Sequence, residues 1–227
     1  MIQKFISKIK GDKYEITSNY SNAEWFVILN ERSWQVIRGL WSKLFLVRVN
    51  GLFFKGKNVR VQHRRSFSSG KNLILGNNVM INALSKNGIK LGENVTIAQN
   101  STLVCTGVIS DKGTGITIGN NTGINVNAYL GGQGGITIGD DVIIGPYVKI
   151  FSENHNFEGK DALFRKQGVS RKGVIIGNDC WIGSNVTILD GVELKDRTVV
   201  AAGSVVTKSF GSDVVLGGIP AKVIKEI

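Results

Sequence analysis

IGNDCWIGSNVTILDGVELKDRTVVAAGSVVTK, residues 176–208, places an aliphatic side chain at every sixth position: Ile176, Ile182, Ile188, Leu194, Val200 and Val206. Four residues after each of the first five stands a small or β-branched side chain: Cys180, Val186, Val192, Thr198 and Ser204. A period of six belongs neither to a helix nor to a plain strand. The frame recurs upstream at Leu75 and Ile81, at Leu91, Ile97 and Leu103, at Ile118, Ile124 and Leu130, and at Ile138, Ile144 and Ile150. Gly follows many of these positions, as at Gly76, Gly119, Gly145 and Gly183. A chain that buries one aliphatic residue in six and turns after each short strand builds a prism with three flat faces. Each coil takes about eighteen residues and stacks on the last at roughly 4.8 Å, the strand spacing of any sheet. Sandwich strands recur every ~8–12 residues and drift in register, unlike five blocks held in one frame.

Composition agrees. The chain has 227 residues, 29 of them Gly and only two Pro, and 42% are hydrophobic, which suits a turn-rich repeat with a full core and excludes disorder. Cys105 and Cys180 fall on the small inward position and read as packed thiols, not a disulfide. No apolar run reaches the ~20 residues of a membrane span, and no secretory leader is read, so the expectation is a cytoplasmic protein.

The net charge of +11 is unevenly placed: residues 1–70 hold 13 Lys and Arg against 4 Asp and Glu. No recognition helix, zinc motif or aromatic RNA-binding signature accompanies these charges, so nucleic acid is not the expected partner. Residues 1–50 read as mostly helical, with turns near Gly11–Asp12 and Asn50–Gly51. Within residues 33–54, Trp34, Ile37, Leu40, Trp41, Leu44 and Phe45 recur at helical spacing among Arg38, Lys43 and Arg48. This amphipathic helix suits two compatible roles: a cap on the open end of the prism, or contact with an anionic membrane surface. The division expected is a basic, partly helical appendage over residues 1–70, with an irregular or strand-like lead-in at 51–70, and a β-helix over 71–227. Three stretches leave the frame, at 107–115, 131–135 and 151–175. The last adds about eight residues to a coil, and loops on a rigid repeat scaffold are where function is usually carried. The tail, 209–227, also departs from the frame.

The motifs at 176–208, with GGIPAKVIKEI at 217–227, resemble the left-handed parallel β-helix acyltransferases of hexapeptide repeats, the family of galactoside, maltose and streptogramin acetyltransferases. The resemblance covers about residues 70–227. It implies an all-β core wound as a left-handed parallel β-helix, the hand coming from the family and not from the period, and a homotrimer with sites at its three interfaces. The implied activity is acetyl-CoA-dependent O-acetylation of a sugar hydroxyl; the basic amphipathic N-terminal segment favours an acceptor held near the membrane, such as a lipid-linked intermediate in surface polysaccharide or glycan biosynthesis. Of the two histidines, His155 in the long loop aligns with the family's catalytic His, while His63 has no such support. Imidazole suits the task because one group takes the hydroxyl proton and returns it to the leaving thiolate. Asn125 matches the family's Asn that faces the acceptor or the developing oxyanion. Ser184, Ala202 and Thr207 match the positions beside the pantetheine arm, and Lys222 and Lys225 the basic pair that meets the nucleotide phosphates, where Lys in place of Arg gives point-charge contact instead of a bidentate grip. Trp181 matches the family's Trp near the groove or simply packs. The resemblance calls for no metal.

Other functions fit less well. N-acetylation of a nucleotide-linked amino sugar, or transfer to serine or a xenobiotic, shares the chemistry. A β-helical carbonic anhydrase needs three His ligands, and this chain has two histidines in all. A non-catalytic scaffold would carry neither the loop His nor the G-x-P-A tail.

Overall fold

The computed structural model describes residues 18–45, 48–159 and 162–227. The expected turn at Gly11–Asp12 lies outside the described residues. The chain is a left-handed parallel β-helix, and the α-helix among the described residues, α1 (Asn22–Lys43), lies before its first coil. Face one rises through Phe53–Lys55, Leu73–Leu75, Thr96–Ile97, Gly123–Ile124, Ile143–Ile144, Trp181–Ile182, Val199–Val200 and Val214–Gly218, and is closed by the antiparallel strand Ala221–Glu226. Face two rises through Arg60–Gln62, Met80–Asn82, Thr102–Val104, Tyr129–Gly131, Lys149–Phe151, Thr187–Ile188 and Val205–Val206. Face three holds Phe67–Ser69, Ile89–Leu91, Ile116–Ile118, Ile136–Ile138, Val174–Ile176 and Glu193–Leu194.

The six-residue frame becomes three aliphatic ladders. On face one Leu75, Ile97, Ile124, Ile144, Ile182, Val200 and Leu216 stand in register. On face two the rungs are Ile81, Leu103, Leu130, Ile150, Ile188 and Val206, and on face three Leu91, Ile118, Ile138, Ile176 and Leu194. All are buried, as are the small residues four positions on, Cys180, Val186, Val192, Thr198 and Ser204. The core is therefore one continuous column in which each side chain packs on its equivalents above and below.

Turning between flat faces needs a left-handed backbone at the corners, and Asn adopts it more readily than other side-chain-bearing residues. At the corner leading into face one the positive-φ residues are Asn72, Asn94, Asn121, Asp141, Asp179, Arg197 and Asp213. Their side chains join the coils: Asn72 donates to Asn94 Oδ1, Asn94 to Asn121 Oδ1 and Asn121 to Asp141 Oδ1, each at 2.9 Å. The glycine after a ladder residue answers to close coil approach. A Cβ on Gly119 would lie 2.6 Å from the Gly139 carbonyl carbon.

The β-helix starts before residue 71. Phe53–Lys55, Arg60–Gln62 and Phe67–Ser69 already pair in parallel with the coil above and form a complete first coil. Its ladder positions hold Lys55, Val61 and Ser69, so Lys55 and Ser69 break the aliphatic frame while the backbone register is intact. The tail also stays on the prism longer than the frame suggests, since Val215 and Leu216 pair in parallel with Val199 and Val200.

α1 begins with a capping box: Ser21 Oγ accepts the Glu24 N–H at 3.3 Å, and Glu24 Oε2 accepts the Ser21 N–H at 2.7 Å. It seats on the first coil through Gln35 and Gly39, the only helical residues buried among those described. A Cβ on Gly39 would overlap the Phe53 carbonyl oxygen, so this contact is made backbone to backbone. Arg38 Nε donates to the Lys55 carbonyl at 2.9 Å, Lys43 Nζ to the Gly51 carbonyl at 2.7 Å, and Lys55 Nζ to Ser42 Oγ at 2.8 Å. The expected apolar face is not the packed one; Trp34, Ile37, Leu40, Trp41, Leu44 and Phe45 are exposed. Gly39→Leu is expected to lift α1 from the prism without unfolding it. Hydrogen exchange would then show faster exchange over 22–43, with the amides of faces one to three still protected.

Candidate active site

The two edges of face two carry most of the candidate residues. Where face one ends, each coil makes a corner, and eight equivalent residues stack there: Gly56, Gly76, Ala98, Asn125, Gly145, Gly183, Ala201 and Gly217. Asn125 is the single large polar member of this small-residue column. Its Oδ1 accepts the Val126 N–H at 2.8 Å, which fixes the carbonyl end of the amide and turns the NH2 end to solvent. One position along, Ser184 and Ala202 lie in successive coils, and Gly203 N–H donates to the Ser184 carbonyl at 2.8 Å. Both are exposed, and Gly183 and Gly203 flank them. The structure thus places Asn125, Ser184 and Ala202 along one edge.

The opposite edge carries His155 and Thr207. After Phe151 the chain leaves the prism as a hairpin, with Asn154–His155 antiparallel to Val169–Ser170. Gln167 organises the loop: its Oε1 accepts the Gly159 N–H, and its Nε2 donates to the Gly159 and Ala162 carbonyls. Asn156 Nδ2 donates to the Gln167 carbonyl at 3.0 Å. His155 is exposed at the outgoing strand. Glu153, two residues earlier, is not its partner, because that carboxylate is held by Arg171 through Nε and Nη2, each at 2.6 Å. Arg171 also pairs with Asp111 at 2.8 Å, so one largely buried guanidinium ties the 107–115 excursion to the His155 hairpin. This clamp is invisible in sequence spacing, since its members lie far apart along the chain.

Thr207 follows Val206 at the end of face two and is therefore separated from Ser184 and Ala202 by the width of that face. Lys222 and Lys225 come together. They are three residues apart, which on a regular strand would set them on opposite faces, but a register shift between Val215 and Leu216 pairs Lys222 with Gly217 and Lys225 with Val215. Both lysines therefore share the face opposite the buried Val214 and Leu216. Trp181 is exposed on face one beside Ile143 and Val199 and belongs to neither edge.

Neither cysteine is a nucleophile at neutral pH. Burial pushes the Cys105 thiol up to about 12 against an opposing hydrogen bond from Ser85, and burial raises Cys180 as well. Among the described residues no group of His, Cys, Asp and Glu is arranged to hold a metal ion.

The corner also holds a residue whose significance sequence inspection missed. The left-handed column into face two reads Asn58, Asn78, Asn100, Asn127, Tyr147, Asn185 and Gly203. Tyr147, with φ 60° and half its surface exposed, is the exception, one coil above the Asn125 corner and one below Ser184. A bulky residue in this conformation is strained. The signal was present in the repeat register, where Gly145–Pro146–Tyr147 stands in line with segments ending in Asn or Gly. Tyr147→Asn is expected to stabilise the fold by about 1 kcal/mol, read as a rise of roughly 2–4 °C in the melting midpoint.

Residues 173–208 match the bacterial transferase hexapeptide family of six repeats. The chain is 40% identical over 116 residues to galactoside O-acetyltransferase of Escherichia coli strain K12, covering 51% of this chain and 56% of that protein. It is 32% identical over 118 residues to the putative lipopolysaccharide biosynthesis O-acetyl transferase WbbJ of the same organism, covering 49% and 60%. The chain thus spans less than two thirds of the length of either relative. In fold it is similar to the D94N mutant of AntD, an N-acyltransferase from Bacillus cereus solved with dTDP and coenzyme A: TM-score 0.55, 23% identity, 75% of this chain and 85% of that one.

Proposed function

We propose that this chain of hexapeptide repeats is an acetyl-CoA-dependent O-acetyltransferase that modifies a sugar hydroxyl in the biosynthesis of a surface polysaccharide or glycan. The carrying observation is the pair of half-sites on face two: an exposed imidazole on a projecting hairpin at one edge, and a small-residue corner bearing one oriented amide at the other. The similarity to a galactoside O-acetyltransferase supports the reaction class, and that to a putative lipopolysaccharide O-acetyl transferase supports the kind of acceptor. The two buried, unpaired cysteines accord with a reducing, cytoplasmic setting.

The chemistry is direct transfer. His155 takes the proton of the acceptor hydroxyl as its oxygen attacks the thioester carbonyl carbon. The Asn125 NH2 group donates to the oxyanion of the tetrahedral intermediate. As the carbon–sulfur bond breaks, the imidazolium returns the proton to the departing thiolate. The exposed Ser184 and Ala202 corner admits the backbone-paired pantetheine arm, and Lys222 and Lys225 supply positive charge for its phosphates. With both substrates held, much of the rate comes from proximity.

Since one chain sets His155 and Asn125 at opposite edges of a face, the reading requires a neighbouring copy to bring one edge against the other, as a cyclic homotrimer does. His155→Ala is expected to lower turnover by about 10²–10⁴ while coenzyme A affinity by calorimetry stays unchanged. Retention of more than about a tenth of the activity would remove His155 from the mechanism. The acceptor is found by following thiol release from acetyl-CoA against free sugars, nucleotide-linked sugars, amino sugars and lipid-linked oligosaccharides. No turnover with any of them defeats the assignment.

Subunit sharing has its own check. Mixing His155→Ala with Asn125→Ala under conditions that exchange subunits is expected to restore measurable activity, because some mixed interfaces carry both native residues. Mixtures as inactive as their components would place both residues in a site within one chain.

A further inference from the structure

We propose that the outward face of α1, with the basic rim beside it, is a docking surface for an anionic lipid membrane. α1 meets the prism through Gln35 and Gly39, and away from that contact Phe26, Val27, Trp34, Ile37, Trp41 and the C-cap residue Leu44 are exposed, Phe26 at 72% and Trp41 at 69%. At 3.6 residues per turn these six fall within about 100° of the helix circumference. A stripe of that width ordinarily faces a core, and here it faces away from one. Contiguous apolar surface of this kind marks an interaction site.

Charge identifies the occupant. Between Glu31 and Glu93 the sequence holds twelve Lys and Arg and no Asp or Glu. Several line the cleft of about 470 Å³ between α1 and the first coil, where Trp41 and Phe45 face Lys55, Arg60 and Arg64. The Arg64 guanidinium lies 5.7 Å from the centre of the Phe45 ring, so the cationic rim and the aromatic edge of the stripe are continuous. Burial, together with the Arg64 and Arg38 charges, holds the Lys55 ammonium below the ordinary lysine range. Among the described residues the ion pair recorded for this stretch is Lys71 with Glu93, at 3.7 Å. Apolar side chains flanked by uncompensated cations complement a bilayer surface, with the rings entering the boundary between headgroups and acyl chains and the cations meeting phosphates. Among the described residues no helix is long and apolar enough to cross a membrane, so α1 lies in the surface plane. A two-fold contact of this face with itself would oppose like charges. The surface is independent of whether the chain transfers acetyl groups.

The test is flotation of the full chain with vesicles of phosphatidylcholine alone or mixed with phosphatidylglycerol, across a salt series. Binding is expected to the mixed vesicles only, and to weaken with salt without vanishing, because the apolar contact is not screened. Arg64→Glu with Arg65→Glu is expected to weaken partitioning by about tenfold or more. Trp34→Ser with Trp41→Ser is expected to remove the salt-resistant part, with circular dichroism verifying the fold. In the unsubstituted chain, brominated phosphatidylglycerol vesicles are expected to quench tryptophan fluorescence, a readout that needs no variant. Failure to float with anionic vesicles at low salt, absence of quenching, or undiminished binding by the folded tryptophan variant overturns the proposal. Self-association abolished by the tryptophan substitutions, without vesicle binding, overturns it in favour of a second copy of the chain.

Discussion

Every feature of this protein depends on holding successive coils in one parallel register. A coil that slipped by one residue would turn its ladder side chains outward and set branched residues at left-handed corners. Asn side chains prevent this twice over. They occupy the left-handed backbone at modest cost, and their amides join each corner to the next, as in the Asn72–Asn94–Asn121–Asp141 series. The aliphatic ladders then supply the driving force for stacking, since each rung is shielded by equivalent rungs above and below.

A solenoid of this kind has two ends, and the chain treats them differently. The upper end is closed by the antiparallel strand Ala221–Glu226, whose bulge also gathers Lys222 and Lys225 on one face. The lower end is covered by α1, but through a backbone-to-backbone contact at Gly39, which leaves the apolar side of the helix unused by the fold. Covering an open end required only a close fit to Phe53, so large apolar side chains such as Phe26, Trp34 and Trp41 are exposed.

The same rigidity explains why the candidate site is divided. Corners are the places where a repeat can change a side chain without disturbing the ladders, and Asn125, Tyr147, Ser184 and Ala202 are corner residues on one edge. Insertions must leave at corners too, and the His155 hairpin leaves at the other edge of face two. A flat face of parallel strands separates them, and no rearrangement within one coil closes that distance. The Arg171 clamp to Glu153 and Asp111 holds the hairpin to a neighbouring excursion, so the imidazole projects from a braced element.

Sequence alone determined the repeat, because a six-residue period is a local pattern and each inward position is dictated by burial. It identified the ladder from Leu75 to Val206 and the loop that carries His155. It set the start of the prism too late, since Lys55 and Ser69 break the aliphatic frame while backbone hydrogen bonds keep the coil. It recognised the amphipathic character of α1, but not which side would pack, since the decision rests on a carbonyl of Phe53 admitting only Gly39. Tertiary structure alone decided that Lys222 and Lys225 share a face, that Glu153 answers to Arg171 and not to His155, and that Asn125 and His155 stand at opposite edges. Those outcomes depend on strand register, a bulge and contacts between residues distant in sequence, and none of these leaves a periodic trace in the chain.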